Sequence, residues 1–563
     1  MADYSNSIAD VCIIGVGGVG GILAKELGTA GLNVVAFERG RFLTKEDYAV
    51  RDSIKFTVRD SLNEWVHQEP VTFRSTPDQR AVVRYPTINA IGGQMLHWTA
   101  QAARLAPGDF KVFTNEVASG VAERAKADLT GYEIFDWPIG YDDLEPYYEK
   151  FEWEFGCSGG TNNVFGGPRK RDCPLPPLRY NAKMVLFEAA CKKLGYHPYQ
   201  SSAGITSRPY KPAAPYDSRI EERQACAYCG HCNDYGCHVG AKATNTYISV
   251  PVAMKTGKVD LRTNSKVFRI NTDDAGNATG VSYFTADKEV REQKARVVIL
   301  CGYTFENVRL LLISESRGKN GIANSSGSVG KGLFGHGDTR TVAIHDDYIV
   351  NSFVGPNSSS IRIDDFSGNN FDHTGVGFIR GAAIGTSGDG APVQRFDNTP
   401  PGMRRWGKDY KDFLARYYTR SWELNMTVET MAHRDNVVDI DPERKDDWGV
   451  PIPRVTFSFK QNERAIQKYM TPIGEKIMRE TGASKVWTRL PNGGNRWSGG
   501  TRMGSDPKTS VVNGYGQAHD MPNLFVMGAS TFPTLTSYPA TATISALAYR
   551  TADYIKTQKQ WFA

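Results

Sequence analysis

Four cysteines, Cys226, Cys229, Cys232 and Cys237, fall within the stretch QACAYCGHCNDYGCHVG, separated by two, two and four residues. Thiolates at such intervals place several soft ligands around one centre, and soft ligands select iron–sulfur clusters, zinc or copper(I) over hard cations. A structural zinc site usually splits its ligands into two pairs set well apart, whereas a compact run of cysteines is how ferredoxin-type loops wrap a cluster. The spacing therefore favours an iron–sulfur centre, 3Fe-4S or 4Fe-4S, with zinc, disulfides or free thiols as alternatives. The last gap is one residue longer than in a ferredoxin loop, and His238 stands where Pro would follow. His231 and His238 read as surrounding polar groups rather than ligands.

A second chemistry-bearing pattern lies at the N-terminus, where DVCIIGVGGVGGILAKELGTAGLNVVAFERG reads as strand, glycine turn, helix and second strand. Val11 to Ile14 form the apolar run. Gly15, Gly17 and Gly20 supply the tight turn, the close approach to a pyrophosphate and the helix–strand contact. Glu38 ends the second strand, where an acid accepts hydrogen bonds from a ribose diol and excludes a 2′-phosphate, so FAD or NAD is favoured over NADP. In INAIGGQMLHWTAQAARL, Gly92 and Gly93 permit another close backbone approach, with His97 and Trp98 just behind. Near the C-terminus NLFVMGAS is a buried strand meeting a Gly-Ala turn, and ATATISALAYRTADYI is a helix whose N-terminus can face a phosphate or flavin.

These motifs need a scaffold, and 563 residues with 40% hydrophobic content can build two interleaved domains. The net charge of +6 is small against 67 basic and 61 acidic residues, mixed along the chain, which gives nucleic-acid binding no support. There is no uninterrupted apolar run of about eighteen residues, and MADYSNSIADVCIIG lacks the features of a secretory signal. Cys12, Cys157, Cys173, Cys191 and Cys301 are scattered singly, unlike a disulfide framework, which fits a reducing cytoplasm. The polar stretch 41–90 is expected to cover a nucleotide, and 120–225, rich in aromatics and Pro, to be irregular. After the cysteine loop come short strands, an apolar strand into Cys301-Gly302 and a helix. From about 340 to 485 strand-like runs such as TVAIHDDYIV and RVTFSFK dominate, with one helix over NERAIQKYMTPIGEKIMRET; this is the expected substrate domain.

The order of these pieces resembles the glucose–methanol–choline (GMC) oxidoreductase family over nearly the whole chain, specifically the FAD-bearing large subunits of bacterial gluconate, fructose and glucoside dehydrogenases. The resemblance rests on GVGGVG with Glu38, AIGGQMLHWTA, VVILCGYTFENVRLLL, GGTRMGSDPKTSVVN, NLFVMGASTFPT, and above all CAYCGHCNDYGC followed by AKAT. It implies an α/β fold, with a Rossmann-like FAD-binding domain built from the discontinuous segments 1–115, 241–340 and 491–563. A β-rich substrate-binding domain would span 341–490, an irregular partner-facing excursion 116–225 and the cysteine loop 226–240. Gly15, Gly17, Gly20, Glu38 and Arg39 would bind the ADP half of FAD, and Gly92, Gly93, His97, Trp98, Val267, Gly302 and Ala529 would line the remainder. In the family a substrate alcohol gives a hydride to the flavin, and a cluster passes single electrons to a haem-bearing partner. Expected partners are thus an alcohol or sugar substrate, a small chaperone-like subunit and a cytochrome. The expected compartment is the cytoplasm, or the periplasm by co-export with a signal-bearing subunit.

One departure matters. Where the family places a His before the GG(T/A)xMG motif, this chain has Arg496 in GGNRWSGGTRMG, and the second His or Asn falls at Pro539 or, with a shift of one, Tyr538. Arg stays protonated near neutrality and cannot be a conventional base, but it can bind a carboxylate or stabilise an alkoxide. Tyr538 is then the expected proton partner, its phenol lowered in pKa beside a cation, and Asn495 would orient the hydroxyl. A distant His433 or His336 entering the site is the alternative. The expected function is FAD-dependent oxidation of a C–OH group on a sugar, sugar acid, glycoside or polyol. The alternatives are an oxidase, a flavoenzyme with altered chemistry and a non-catalytic flavin-binding electron-transfer subunit.

Overall fold

The computed structural model describes residues 7–48, 69–84, 87–160, 162–232, 236–314, 320–356, 358–386, 398–490 and 493–562, so part of the expected nucleotide cover at 41–90 lies outside the described residues. The apolar strands Ala9–Ile14 and Val34–Phe37 are almost wholly buried, which a parallel sheet covered on both faces requires. Five strands run parallel in the order Val259–Arg262, Val34–Phe37, Ala9–Ile14, Val290–Leu300 and Leu524–Val526. The ladder pairs Ile14 with both Phe37 and Leu300, and Leu300 with Val526. Four strands therefore end level, and the residues that follow them, Gly15, Glu38, Cys301 and Met527, stand side by side along one crest. In open parallel sheets that crest is where ligands bind. The first half of Val290–Leu300 turns outward into an antiparallel meander with Ala278–Phe284 and Lys266–Thr272.

A second, antiparallel sheet has the order Lys485–Arg489, Phe334–Ile344, Ser421–Val428, Ala382–Gly385, Ile361–Ile363, Tyr199–Gln200, with Asn495–Ser498 also paired to Phe334–Ile344. Strand alternation sends Thr341 and Ala343 toward the helix Gln461–Glu480, whose Ile466, Met470 and Ile477 share a core with Leu424 and Met426. His336, Asp338 and Arg340 occupy the opposite face. A third, four-stranded sheet joins Val437–Lys445, Pro451–Thr456, Val71–Arg74 and Val82–Arg84.

Two expectations are corrected. The region 120–225 is not simply irregular: it contains the helices Val121–Ala125, Tyr141–Glu154 and Ala182–Lys193. Buried Tyr148, Phe151 and Trp137 there plug into the core beneath the C-terminal helix Thr541–Thr557, so its aromatics mark packing where they had read as irregular chain. The strand Phe334–Ile344 also crosses the boundary expected at 340, because its two halves serve different neighbours. Among the described residues no helix is long and apolar enough to cross a membrane.

Candidate active site

A cavity of about 650 Å³ runs along the crest of the parallel sheet, from Glu38 and Arg39 at one end to Asp338 and Arg496 at the other. At the first end the backbone makes the surface. Gly15 has φ +91°, and a Cβ there would lie 2.7 Å from the Cys301 carbonyl oxygen. Gly17 and Gly93 face one another, so a Cβ on Gly93 would lie 3.2 Å from the Gly17 Cα. Gly20 and Gly92 shape the turns from behind rather than lining the cavity: a Cβ on Gly20 would clash with the Gly15 carbonyl, and the Gly92 N–H donates to Val16 O at 2.8 Å.

The Glu38 carboxylate is buried, and its two oxygens accept the Val16 and Gly40 N–H groups, each at 3.0 Å. Burial pushes its pKa up while these backbone donors oppose the shift. Lone pairs remain for the vicinal hydroxyls of a ribose. Arg39 lies beside it, within 3.3 Å of Glu306, and Val267 follows Lys266, which is tied to Glu69 at 3.0 Å and to Asp446. Gly302, Ala529, His97 and Trp98 continue the wall, with His97 hydrogen-bonded to Gln94. Asn307, inside the VVILCGYTFENVRLLL motif but given no role there, holds two turns together: its Oδ1 accepts the Gly302 N–H at 2.7 Å, and its Nδ2 donates to Met527 O and Ser530 Oγ, both at 2.9 Å.

At the other end side chains dominate. Asn495 and Arg496 reach the site because Asn495–Ser498 pairs with the start of Phe334–Ile344, across an irregularity between Phe334 and His336. Arg496 has φ +51°, a left-handed conformation that is costly for a residue with a Cβ and that tends to persist at functional sites. Its Nη1 lies 3.1 and 3.2 Å from the two Asp338 oxygens, and Asn495 Nδ2 donates to Asp338 Oδ2 at 2.9 Å. Burial works against the Asp338 charge, but the Arg496 and Arg340 cations outweigh it and hold the carboxyl well below the usual range. Asn495 Oδ1 is buried without a partner among the described residues, an acceptor left for a ligand.

His336 completes the group. Its Nε2 meets the Thr536 carbonyl at 2.5 Å and its Nδ1 faces Arg496 at 3.4 Å. Burial first, then the Arg496 cation, lower its pKa to about 4, so the ring is neutral. Of the two distant histidines considered from sequence, His336 therefore arrives beside Arg496, while His433 packs edge-on against Tyr132 with Nε2 on Thr130 O. Tyr538 is a correction. Its ring lies under Arg362 and its hydroxyl donates to Asp364 at 2.5 Å, and Pro539 and Ala540 line the cavity in its place. Burial and the Asp364 charge push its pKa far up, opposite to the expected fall. Asp338 and Arg340 carried no motif; the only signal was a charged alternation, His-x-Asp-x-Arg, inside a strand that must be buried.

The cysteine loop backs onto the same cavity. Cys226 Sγ accepts the Tyr228 N–H at 3.3 Å and Cys237 Sγ the Lys242 N–H at 3.5 Å. Tyr228 and Gly230 both take positive φ, and a Cβ on Gly230 would clash with the Phe353 carbonyl. Burial raises the Cys226 and Cys232 thiols to about 11 and about 12, while Cys229 is exposed. Among the described residues no three or more His, Cys, Asp or Glu side chains are gathered as a metal site. Lys242, the Lys of the AKAT that follows the cysteines, joins loop to cavity: its Nζ donates to Trp98 O and to Cys232 O, each at 2.8 Å. Trp98 lines the cavity and packs against the cluster containing Cys232.

Comparison with known proteins bears on this arrangement directly. Residues 432–548 match the GMC oxidoreductase family model. The chain is 31% identical over 584 residues to the gluconate 2-dehydrogenase flavoprotein of Pantoea cypripedii, covering 98% of this chain and 94% of that one. It is 25% identical to the fructose dehydrogenase large subunit of Gluconobacter japonicus, covering 97% of each. The solved pyridoxine 4-oxidase from Mesorbium loti superposes with a TM-score of 0.61 at 16% identity over 97% of this chain and 99% of that one, a likeness of fold. Similarity of this extent to the first relative, together with the family match over the C-terminal segment that carries Arg496, establishes that the chain belongs to the GMC oxidoreductase family and is an oxidoreductase.

Proposed function

We propose that this protein is an FAD-dependent dehydrogenase acting on a C–OH group of a sugar, sugar acid, glycoside or polyol. The observation that carries the reading is one continuous cavity lined by the buried Glu38 carboxylate and by Asp338, clamped by Arg496 and Asn495. The glycine turns around Gly15, Gly17 and Gly93 leave room that side chains would fill, which fits the narrow pyrophosphate waist of a dinucleotide. FAD bound there would supply the hydride acceptor. The chain's own residues supply the rest. Asn495 Oδ1 accepts a substrate hydroxyl and sets its orientation, Arg496 stabilises negative charge as it grows on the hydroxyl oxygen, and Asp338 takes the proton. A carboxylate held at low pKa is a weak base, but it suffices here. Arg496 stabilises the alkoxide as it forms, so the hydroxyl becomes acidic enough for its proton to pass to Asp338 as the hydride leaves.

For the cysteine loop the proposal is an iron–sulfur cluster on Cys226, Cys229, Cys232 and Cys237. Supporting it are the soft donor set, the backbone N–H groups on two of the sulfurs and the shared wall at Trp98. The thiols are not gathered as a metal site among the described residues, and the hydride transfer above does not depend on them. A small chaperone-like subunit and a cytochrome are proposed partners, on the strength of a relative that is itself a large subunit. Export alongside a signal-bearing subunit would place the complex in the periplasm.

The test is anaerobic bleaching of the flavin absorbance by a panel of sugars, sugar acids, glycosides and polyols. Bleaching by at least one class, lost in Asp338→Asn with the flavin retained, supports the reading. A flavin that none of them reduces, or full activity in the variant, overturns it. Iron and sulfide analysis decides the cysteine loop separately, with zinc alone counting against a cluster.

A further inference from the structure

A second cavity, of about 550 Å³, lies apart from the active site, where the segment 113–135 meets the turns at 326–331 and 502–509. Its two sides differ in kind. One is apolar and rich in rings: Phe113, Tyr132 and Phe135 with Leu129 and Ile134. Phe113 is 45% exposed, so its ring is open to a ligand at the cavity's edge. The other side carries Lys331, Arg502 and Lys508 beside hydroxyls such as Ser328 and Thr509.

The charges on that side are not balanced. Among the described residues Glu133 is the one acid on the wall, and it pairs with Arg502 at 3.2 Å. Arg502 is held rigidly, stacked on the Phe135 ring at 3.9 Å with Nε and Nη2 on the Thr509 carbonyl. Asp506, on the neighbouring turn, spends its Oδ1 on the Lys508 backbone N–H. Lys331 and Lys508 make no ion pair among the described residues. Lys331 and Lys508 thus line the same cavity as Phe113, Tyr132 and Phe135, in a space of the size that holds a small organic ligand. Neither the hydride chemistry nor the cysteine loop uses any of these residues.

We propose that this second cavity binds a small organic anion with a planar aromatic body, an aryl carboxylate or a close chemical equivalent. The ring would lie among Phe113, Tyr132 and Phe135, where offset stacking is available, and the carboxylate would be taken by Lys331 and Lys508. Ring and charge are both required. A neutral arene would leave the ammonium groups unpaired, and a small anion without a ring would gain too little to order two lysine side chains.

The experiment is calorimetric titration of the full chain with 2-naphthoate, with 2-naphthylmethanol as the neutral isostere and acetate as the bare anion. The expected result is saturable binding of naphthoate, about tenfold or more weaker binding of the alcohol, and none of acetate. Lys331→Glu combined with Lys508→Glu should weaken naphthoate about tenfold or more while flavin content and flavin bleaching stay unchanged. Phe113→Ser, at an exposed position, should weaken naphthoate and its alcohol alike. Absence of naphthoate binding overturns the proposal, including the case where this face takes an acidic segment of a partner subunit instead. So does binding indifferent to the lysine pair, or binding displaced by a substrate of the first cavity.

Discussion

The two ends of the main cavity are built by opposite means. Around Glu38 the surface is mostly backbone: four parallel strands end in register, glycines keep the crest low, and the acid itself is fixed by two main-chain N–H groups. Around Asp338 the surface is mostly charged side chains from two antiparallel strands of another sheet, held by one another and by a residue in left-handed conformation. The first end should tolerate changes of charge better than added volume. The second should tolerate added volume better than changes of charge. A cofactor that stays bound asks for a shaped wall, whereas a reacting oxygen asks for charge placed where charge develops.

The largest effect expected from that contrast is at Gly15. Gly15→Val places carbon against the Cys301 carbonyl at a φ that disfavours any side chain, so the purified chain should lack flavin absorbance altogether. Normal flavin content in this variant would break the comparison at its first end.

Asp338→Asn should do the reverse. Flavin stays bound, while the rate of bleaching by the best substrate falls by about two to four orders of magnitude in stopped-flow measurement. Arg496→Ala comes next, with a loss of about two orders of magnitude if the guanidinium stabilises developing charge. An unchanged rate would reduce Arg496 to a surface cation. Replacing it as Arg496→His restores the family's residue; gain of oxidation of an ordinary sugar would show a site repurposed from alcohol chemistry.

Glu38→Gln should weaken FAD by about tenfold, since one charged hydrogen bond to the ribose becomes a neutral one. Equilibrium dialysis measures it. A loss as complete as that of Gly15→Val would mean the first end depends on charge after all.

The smallest effect concerns pH. His336 has a folded pKa of about 4 against about 6.5 for an unperturbed His, so below that value the unfolded chain binds the extra proton and the folded chain does not. Its contribution is fully present above about pH 6.5 and is lost as pH falls toward about 4. The melting temperature of His336→Asn should accordingly depend less steeply on pH across that window than that of the unaltered protein. Equal slopes would remove His336 from the electrostatics of the reactive end.

Legibility in the sequence follows the same division. The dinucleotide end was readable because its parts are local: Ala9–Ile14, the glycine turn, Gly20–Thr29 and Glu38 lie within one supersecondary unit, and each residue's role follows from its own backbone geometry. The helix Gln461–Glu480 was readable for the same reason, through its apolar spacing. Asp338 was not, since 158 residues separate it from Arg496 and nothing in its neighbourhood records the pairing. Tyr538 misled because it is one residue from the lining Pro539, and a single residue decides whether a side chain enters the cavity or turns to Asp364. The sequence alone determined the glycines, the acid that ends the second strand, the thiol spacing and Arg496 shortly before GGTRMG. Only the tertiary structure decided which carboxylate stands in the gap, because a charge in a buried site is defined by the partners that surround it, and here those partners come from strands far apart in the chain.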